Sequence, residues 1–463
     1  MPDILPFLVS LQSVLSKTQC HQLCRIALAM LVMPGDITQR GISRWADKGG
    51  SYRTIHRFFH SEIDWLQVNW LFFCNYLSNA PATYLLVGDE TVLKKAGKQT
   101  FGLDRFFSSL ADKPVPGVAF FGLALVNVRT RRAYTLCAEQ VVRSDAEKEE
   151  RKKQKQQKLE RKVKAAAPAK KRGRPKGSKN KNKTEVVLSL ELGRILAWAH
   201  KALALVEKKL PVVYFVLDGH FGNHPSYQMT RKLNLHLISK MRHNAALYYL
   251  PTEEEKQDKP RLVYGAKVDC NALPLACRLS ETVEEGYRLG VYQIPCRHKD
   301  FAEVLNVVIL KKTQIATGRS GHVILFSSDR SLAAATLVDY YGLRFQIEFE
   351  FRDAKQHFGL SDFRAVSEVA VRNSVGLAFF MGNLSTYLLT SLRERFPEAG
   401  VADLKSYYRG RRYVAEVLKC LPDFAEAIVC AKVMEQVARL GCIHSSQKQA
   451  LMTSKCGDKK RLD

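Results

Sequence analysis

Three β-rich apolar runs, at residues 83–87, 118–128 and 133–142, follow one another in the chain, the last two joined by the short turn 129–132. Strands joined so closely pair antiparallel. The texture then alternates: a helical stretch at about 186–205, an apolar run at 212–217, a short helix at about 227–233 and a further run at 235–239. A strand that returns after a helix lies parallel to its predecessor. Few topologies satisfy three strands in hairpin order followed by alternating helix and strand, and all of them are mixed sheets.

The fold class expected is therefore α/β, with a ribonuclease-H-like mixed sheet and flanking helices. Residues 1–75 place apolar side chains at three- and four-residue spacing and are expected to form a helical DNA-binding domain. The core's first part would span 80–244. A β-rich insertion would follow at 245–328, with β-like runs at 304–310 and 322–326. Residues 329–395, strongly helical over 331–360, would complete the core, and 396–463 would hold C-terminal helices and a polar tail. The longest apolar stretch, 369–389, carries Arg372, Asn373 and Asn383, and reads as a buried helix, not a membrane span. The opening run, 4–15, is broken by Pro6, Ser10 and Gln12 and lacks a basic leader, so the expected compartment is the cytoplasm. Eleven cysteines without a CxxC read as reduced core thiols.

Charge narrows the partners. The formal net charge is +27, which draws polyanions, nucleic acid foremost, and suggests association with the nucleoid. Residues 147–183 hold 17 Lys or Arg against 4 acidic residues, with few large apolar side chains. That composition predicts a disordered basic insertion, or a charged helix followed by coil. Within it, Lys171-Arg172-Gly173-Arg174-Pro175-Lys176 resembles an AT-hook, whose Arg172 and Arg174 would lie along a narrow minor groove. A non-specific tether for phosphates is the alternative. Residues 36–46 and 52–60, about the turn 47–50, resemble a helix-turn-helix whose second helix offers Arg53, His56 and Arg57 to DNA. An ordinary helical hairpin with a solvated basic face fits the same spacing.

Two apolar runs end in a carboxylate: Leu85-Leu86-Val87-Gly88-Asp89 and Val213-Tyr214-Phe215-Val216-Leu217-Asp218. Such residues often only close a strand. Hard oxygen ligands converging at strand ends also suit two Mg²⁺ ions about 3.5–4 Å apart, the arrangement used to cut and join phosphodiesters. A third element strengthens that reading. Tyr341, Arg344, Glu348, Arg352 and Lys355 step by three, four, four and three, placing them on one helical stripe. Phe345, Ile347, Phe349 and Phe351 load the other sides of that helix and predict burial.

The run Tyr341-x2-Arg344-x3-Glu348-x6-Lys355 resembles the Tyr-Arg-Glu-Lys signature of one branch of bacterial insertion-sequence DDE transposases. Ser327-Ser328-Asp329, His357-Phe358-Gly359-Leu360, Asp89-Glu90-Thr91 with Lys95-x-Gly97-Lys98, and Asp218-Gly219 also resemble that family. The resemblance covers roughly residues 50–395. It implies catalysis and metal binding by Asp89, Asp218 and Glu348, with Mg²⁺ as cofactor and Mn²⁺ able to substitute. It implies that Tyr341, Arg344 and Lys355 hold the DNA backbone near the cleaved end, and a flipped base. Arg352, on the same stripe, would receive phosphate too. The partners implied are double-stranded DNA, as element ends and target, and a second copy of the chain in a synaptic complex, with no membrane. Two departures stand out. The four Trp residues, Trp45, Trp65, Trp70 and Trp198, all lie outside the insertion, and the basic segment 147–183 interrupts the core. Two other functions fit the same pattern: a catalytically inactive DNA-binding derivative, and a ribonuclease-H-like nuclease without strand transfer.

Overall fold

The computed structural model describes residues 4–46, 49–78, 81–108, 111–164, 183–184, 186–419 and 427–443. An eleven-stranded sheet organises them. Its first half consists of β1 (Tyr84–Lys94), β2 (Asp104–Ser108), β3 (Lys113–Asn127), β4 (Arg132–Gln140), β5 (Val212–Leu217) and β6 (His236–Met241). β1 runs antiparallel to β3 from Tyr84↔Asn127 to Lys94↔Gly117, and β2 and β4 pair antiparallel with β3. β5 lies parallel to β1, and β6 parallel to β5. The helices Leu190–Val206 and His224–Lys232 precede those two strands and carry the chain back to the same end of the sheet. The order β4–β3–β1–β5–β6 is the ribonuclease-H-like mixed sheet that the sequence predicts. Tyr84, Leu85, Leu86 and Val87 are all buried, as befits a central strand covered on both faces.

Beyond β6 the ladder continues. The remaining strands are β7 (Leu247–Tyr248), β8 (Arg278–Glu284), β9 (Tyr287–His298), β10 (Leu305–Gln314) and β11 (Ser320–Ser327). β11 pairs antiparallel with β6 from Ile324↔Met241 to Ser327↔Ile238; β10 follows β11, β9 follows β10, and β7 and β8 share the far edge of β9. The β-rich residues 245–328 thus extend the same sheet.

The helix Glu368–Arg395 braces the sheet. Among the described residues it is the one helix long and apolar enough to cross a membrane, with mean hydropathy 1.3 over a window that is 67% buried inside the molecule. It packs against β4 and the helices Trp65–Phe72 and Gln346–His357. Asn373 ties it to the N-terminal helices: its Oδ1 accepts from Trp65 Nε1 (2.9 Å), and its Nδ2 donates to the carbonyls of Phe59 (2.9 Å) and Ser61 (2.7 Å). Gly376 is the notch that admits Trp65, since a Cβ there would stand 2.2 Å from the indole ring. Ser51 caps the helix Tyr52–Phe59, which buries Ile55, Phe58 and Phe59 and leaves Tyr52, Arg53, His56 and Arg57 exposed.

Three local outcomes refine the expectations. First, the start of the basic segment takes the charged-helix form of the two expected, over Asp145–Lys164. Ser144 N–H donates to Glu147 (2.8 Å), Glu147 N–H donates back to Ser144 Oγ (3.3 Å), and Arg194 grips Glu147 (2.9 Å). Second, 331–360 is not one helix. Ala334–Leu343 and Gln346–His357 are separated at Arg344 and Phe345, where the N–H groups of both reach back three residues to Tyr341 and Gly342. Third, Ile347 and Phe351 are buried there, but Phe345 and Phe349 are 48% and 37% exposed.

The helix Gln346–His357 also carries an enclosed carboxyl. Part of Glu350 reaches solvent, yet its Oε2 is buried without a hydrogen-bond partner. Burial pushes its pKa up to about 8, and Asp353 adds to the effect. In the unfolded chain Glu350 ionises near its ordinary value of 4.5, so its contribution to stability is complete below that pH and is lost as pH rises toward about 8. The melting temperature should therefore fall between pH 5 and pH 8.5 by about 3 °C or more beyond any fall seen in Glu350→Gln. Parallel pH profiles for the two chains would refute this assignment.

Candidate active site

The parallel pairing of β1 with β5 ends at Gly88↔Leu217. Asp89 and Asp218, the next residues on these neighbouring strands, therefore stand side by side. Asp218 closes β5, as expected. Asp89 does not close β1, which runs on to Lys94 because β3 continues to pair with it. What stops at Asp89 is the parallel partner, and that opens the cleft. Asp218 Oδ1 accepts from His220 N–H (3.1 Å), capping the turn Gly219–Phe221, and Ser239 Oγ donates to the Asp218 carbonyl (2.7 Å).

Glu348 arrives from the first turn of the helix Gln346–His357. Gly122 makes that approach possible. It faces Asp89 in the β1–β3 register, and a Cβ on it would stand 2.8 Å from the Phe351 ring and 3.7 Å from Ile347. Without that carbon, the two side chains rest on the sheet and bring their helix down onto β3.

Arg344 joins the carboxylates. Its Nη1 donates to Asp89 Oδ2 (2.8 Å) and its Nη2 to Glu348 Oε1 (2.9 Å). The three side chains are 20%, 14% and 36% exposed for Asp89, Arg344 and Glu348, so the fork works in a partly desolvated setting. Burial pushes Asp89 up to about 6, with Asp218 and Glu348 adding to the rise against the pull of Arg344. Burial also raises Tyr341, whose electrostatic neighbours are Arg344, Asp218 and Asp89, and it lowers Lys355. Among the described residues no three His, Cys, Asp or Glu side chains close into a metal cage. At these strand ends a guanidinium stands between Asp89 and Glu348. The donor set is nonetheless suited to a hard divalent cation: carboxylate oxygens, among them that of Asp89, whose charged form burial disfavours.

The other residues singled out from the sequence lie apart from this centre. Arg352 is exposed, bonded to Asp353 (3.0 Å) and 4.8 Å from the Phe349 ring. Arg53 and Arg57 are exposed on the N-terminal helix. Arg172 and Arg174, with the whole AT-hook-like core, lie outside the described residues. Three features escaped the sequence reading. Phe345 and Phe349 form an exposed edge-to-face pair (5.3 Å, 89°) on the helix that carries Glu348. Their i, i+4 spacing signals contact with each other, but hydrophobicity alone assigned them inward. Gly122 is visible as a glycine inside an apolar β-run, a mark of close approach. A cavity of about 640 Å³ beside Asp218 is lined by His220, Lys240, Arg242, His243 and His322, and no local motif announces it.

The sequence profile described as DDE superfamily endonuclease matches residues 10–277, more than half of the chain. That described as Transposase DDE domain matches residues 197–384. No curated protein sequence matches. Among solved structures, the cryo-EM structure of a piggyBac transposase synaptic complex with hairpin DNA is similar at 11% identity and a TM-score of 0.39, over 91% of this chain and 76% of that one.

Proposed function

The chain belongs to the DDE superfamily of endonucleases, and on that premise we propose that it is a cut-and-join transposase acting on the ends of its own insertion sequence. The observation that carries this reading is Asp89 next to Asp218 in the register where the parallel pairing of β1 and β5 stops, with Arg344 bridging Asp89 to Glu348. Asp89, Asp218 and Glu348 would hold Mg²⁺, or Mn²⁺ in its place. When bound, the metal would neutralise charge developing at phosphorus and orient the attacking and leaving oxygens.

The remaining steps fall to the chain's own side chains. Arg344 keeps the carboxylates from repelling one another before the cation arrives. Once relieved of Asp89, its fork is free to grip a phosphate near the cleaved end. Tyr341 and Lys355 hold the backbone on either side. The exposed Phe345–Phe349 pair offers an unpaired base a surface to stack on. Lys240, Arg242 and His243 receive the strand that leaves past Asp218. Arg53 and Arg57, and the basic segment with Arg172 and Arg174, bind DNA farther out. Two copies would act together on paired ends in the cytoplasm, at the nucleoid.

The test is cleavage of DNA carrying the inverted repeats that flank the gene. The purified chain with Mg²⁺ should give nicked ends and then joined products, and EDTA should abolish both. Nicks that never join would replace this reading with a nuclease. Tight binding without cleavage would replace it with a DNA-binding derivative.

A further inference from the structure

Lys95 stands just beyond the end of β1, on the strand that carries Asp89. Its N–H donates to the Pro116 carbonyl (3.2 Å), so its backbone still belongs to the sheet. Its side chain leaves the sheet. Nζ donates to the carbonyls of Phe363 (2.8 Å) and Ser361 (3.1 Å) and lies 3.4 Å from the centre of the Phe363 ring. Phe363 is buried, and burial pushes the ammonium down to about 8, so the contact lies inside a joint and not on an open surface.

Those two carbonyls belong to the turn that ends the helix carrying Glu348. Gly359, at φ +72°, stops that helix. The N–H of Leu360 reaches back to the Ala354 carbonyl (3.0 Å), and the N–H of Asp362 to that of Gly359 (3.0 Å). Lys405 Nζ holds the His357 carbonyl (2.8 Å), and the Asp362 carboxylate accepts from the N–H of Ile37 (2.9 Å). Ser361 and Phe363 therefore present their carbonyls from a turn that is fixed on its other sides.

β1 and the helix Gln346–His357 pack against each other. Arg344 ties them at one end, through Asp89 and Glu348, and Lys95 ties them at the other. About 20 Å of strand separates Lys95 from Asp89, and about 14 Å of helix separates His357 from Glu348. The first tie opens when the cleft fills, because a phosphate would draw Arg344 away from Asp89. The second lies outside the cleft and persists.

We propose that Lys95 is a positioning residue for strand cleavage. By fastening the end of β1 to the turn after the Glu348 helix, it keeps Glu348 in register with Asp89 once Arg344 has turned to the DNA. The effect on rate rests on the proposed function. The tie itself needs neither DNA nor metal, so the two can fail separately.

Lys95→Met keeps the length of the side chain and removes its donors. In the full chain without DNA or Mg²⁺, amide hydrogen exchange over residues 354–363 should speed up at least about fivefold, while the melting temperature falls by no more than about 4 °C. With end DNA at saturation, single-turnover cleavage should slow about 10- to 100-fold, and Kd for that DNA should stay within about twofold of wild type. That split separates positioning from DNA contact, which would raise Kd in step with the loss of rate. Lys95→Arg keeps a cation able to donate to both carbonyls, and should cleave at least about fivefold faster than Lys95→Met. Unchanged exchange, an unchanged rate, a Kd that rises as the rate falls, or an Arg variant no better than Met would each overturn the proposal. A wild-type chain that leaves end DNA uncut defeats the proposed function and this rate effect with it, while the exchange result still decides whether Lys95 makes the tie.

Discussion

Asp218→Asn should lower Mg²⁺-dependent cleavage of the element's ends by at least about 10³-fold, the scale of losing a carboxylate that positions a catalytic cation. The same chain should melt within about 2 °C of wild type, as expected of a substitution that keeps its local hydrogen bonds. The contrast follows from what Asp218 does locally. Its Oδ1 accepts the His220 N–H, and its carbonyl accepts from Ser239. An asparagine retains both roles and loses only the charge. Glu350→Gln on the neighbouring helix removes a carboxyl that is enclosed away from the cleft, and should leave cleavage at pH 7 near wild type. Persistent cleavage by the Asp218→Asn chain would sink the assignment of that residue.

The second large effect concerns a residue that touches no substrate. Gly122→Val should cost about 2–3 kcal/mol of stability through overpacking against Phe351. It should also reduce cleavage by about 10²-fold, because displacing a reactive group by even an ångström forfeits its alignment. A Cβ at this position already stands 2.8 Å from the Phe351 ring, so valine must lift the helix that carries Glu348. Adding Phe351→Leu makes room and should restore part of both losses. Additive losses in the double variant would mean that Gly122 and Phe351 do not act through one contact.

The sheet was legible because its signals are local. The turn 129–132 forces β3 and β4 into a hairpin, and the apolar runs separated by helices force β5 and β6 to lie parallel. Burial of the helix Glu368–Arg395 was legible too, from the Asn373 and Asn383 that a lipid-facing helix would not carry. The cleft was less so. A stripe computed at fixed helical pitch assumes an unbroken helix, and the chain breaks at Arg344 and Phe345. That break frees the Arg344 fork to span Asp89 and Glu348, where the stripe had offered it to phosphate alone. Phe345 and Phe349 failed for a related reason: the helix already buries Ile347 and Phe351, and the sheet has no room for four large side chains at one contact. The continuation from β6 to β11 joins segments far apart in sequence, and nothing local encodes it.

The seating of Trp65 in the Gly376 notch, with Asn373 holding both its indole and the Phe59 and Ser61 carbonyls, has a geometric consequence. It fastens the helix that carries Arg53 and Arg57 to the same frame as the residues proposed to cut. A protein built this way would act as a ruler, cleaving at a set number of base pairs from whatever sequence its N-terminal helices read. Spacer insertions between the two would then be tolerated in steps of a helical turn at best, not gradually.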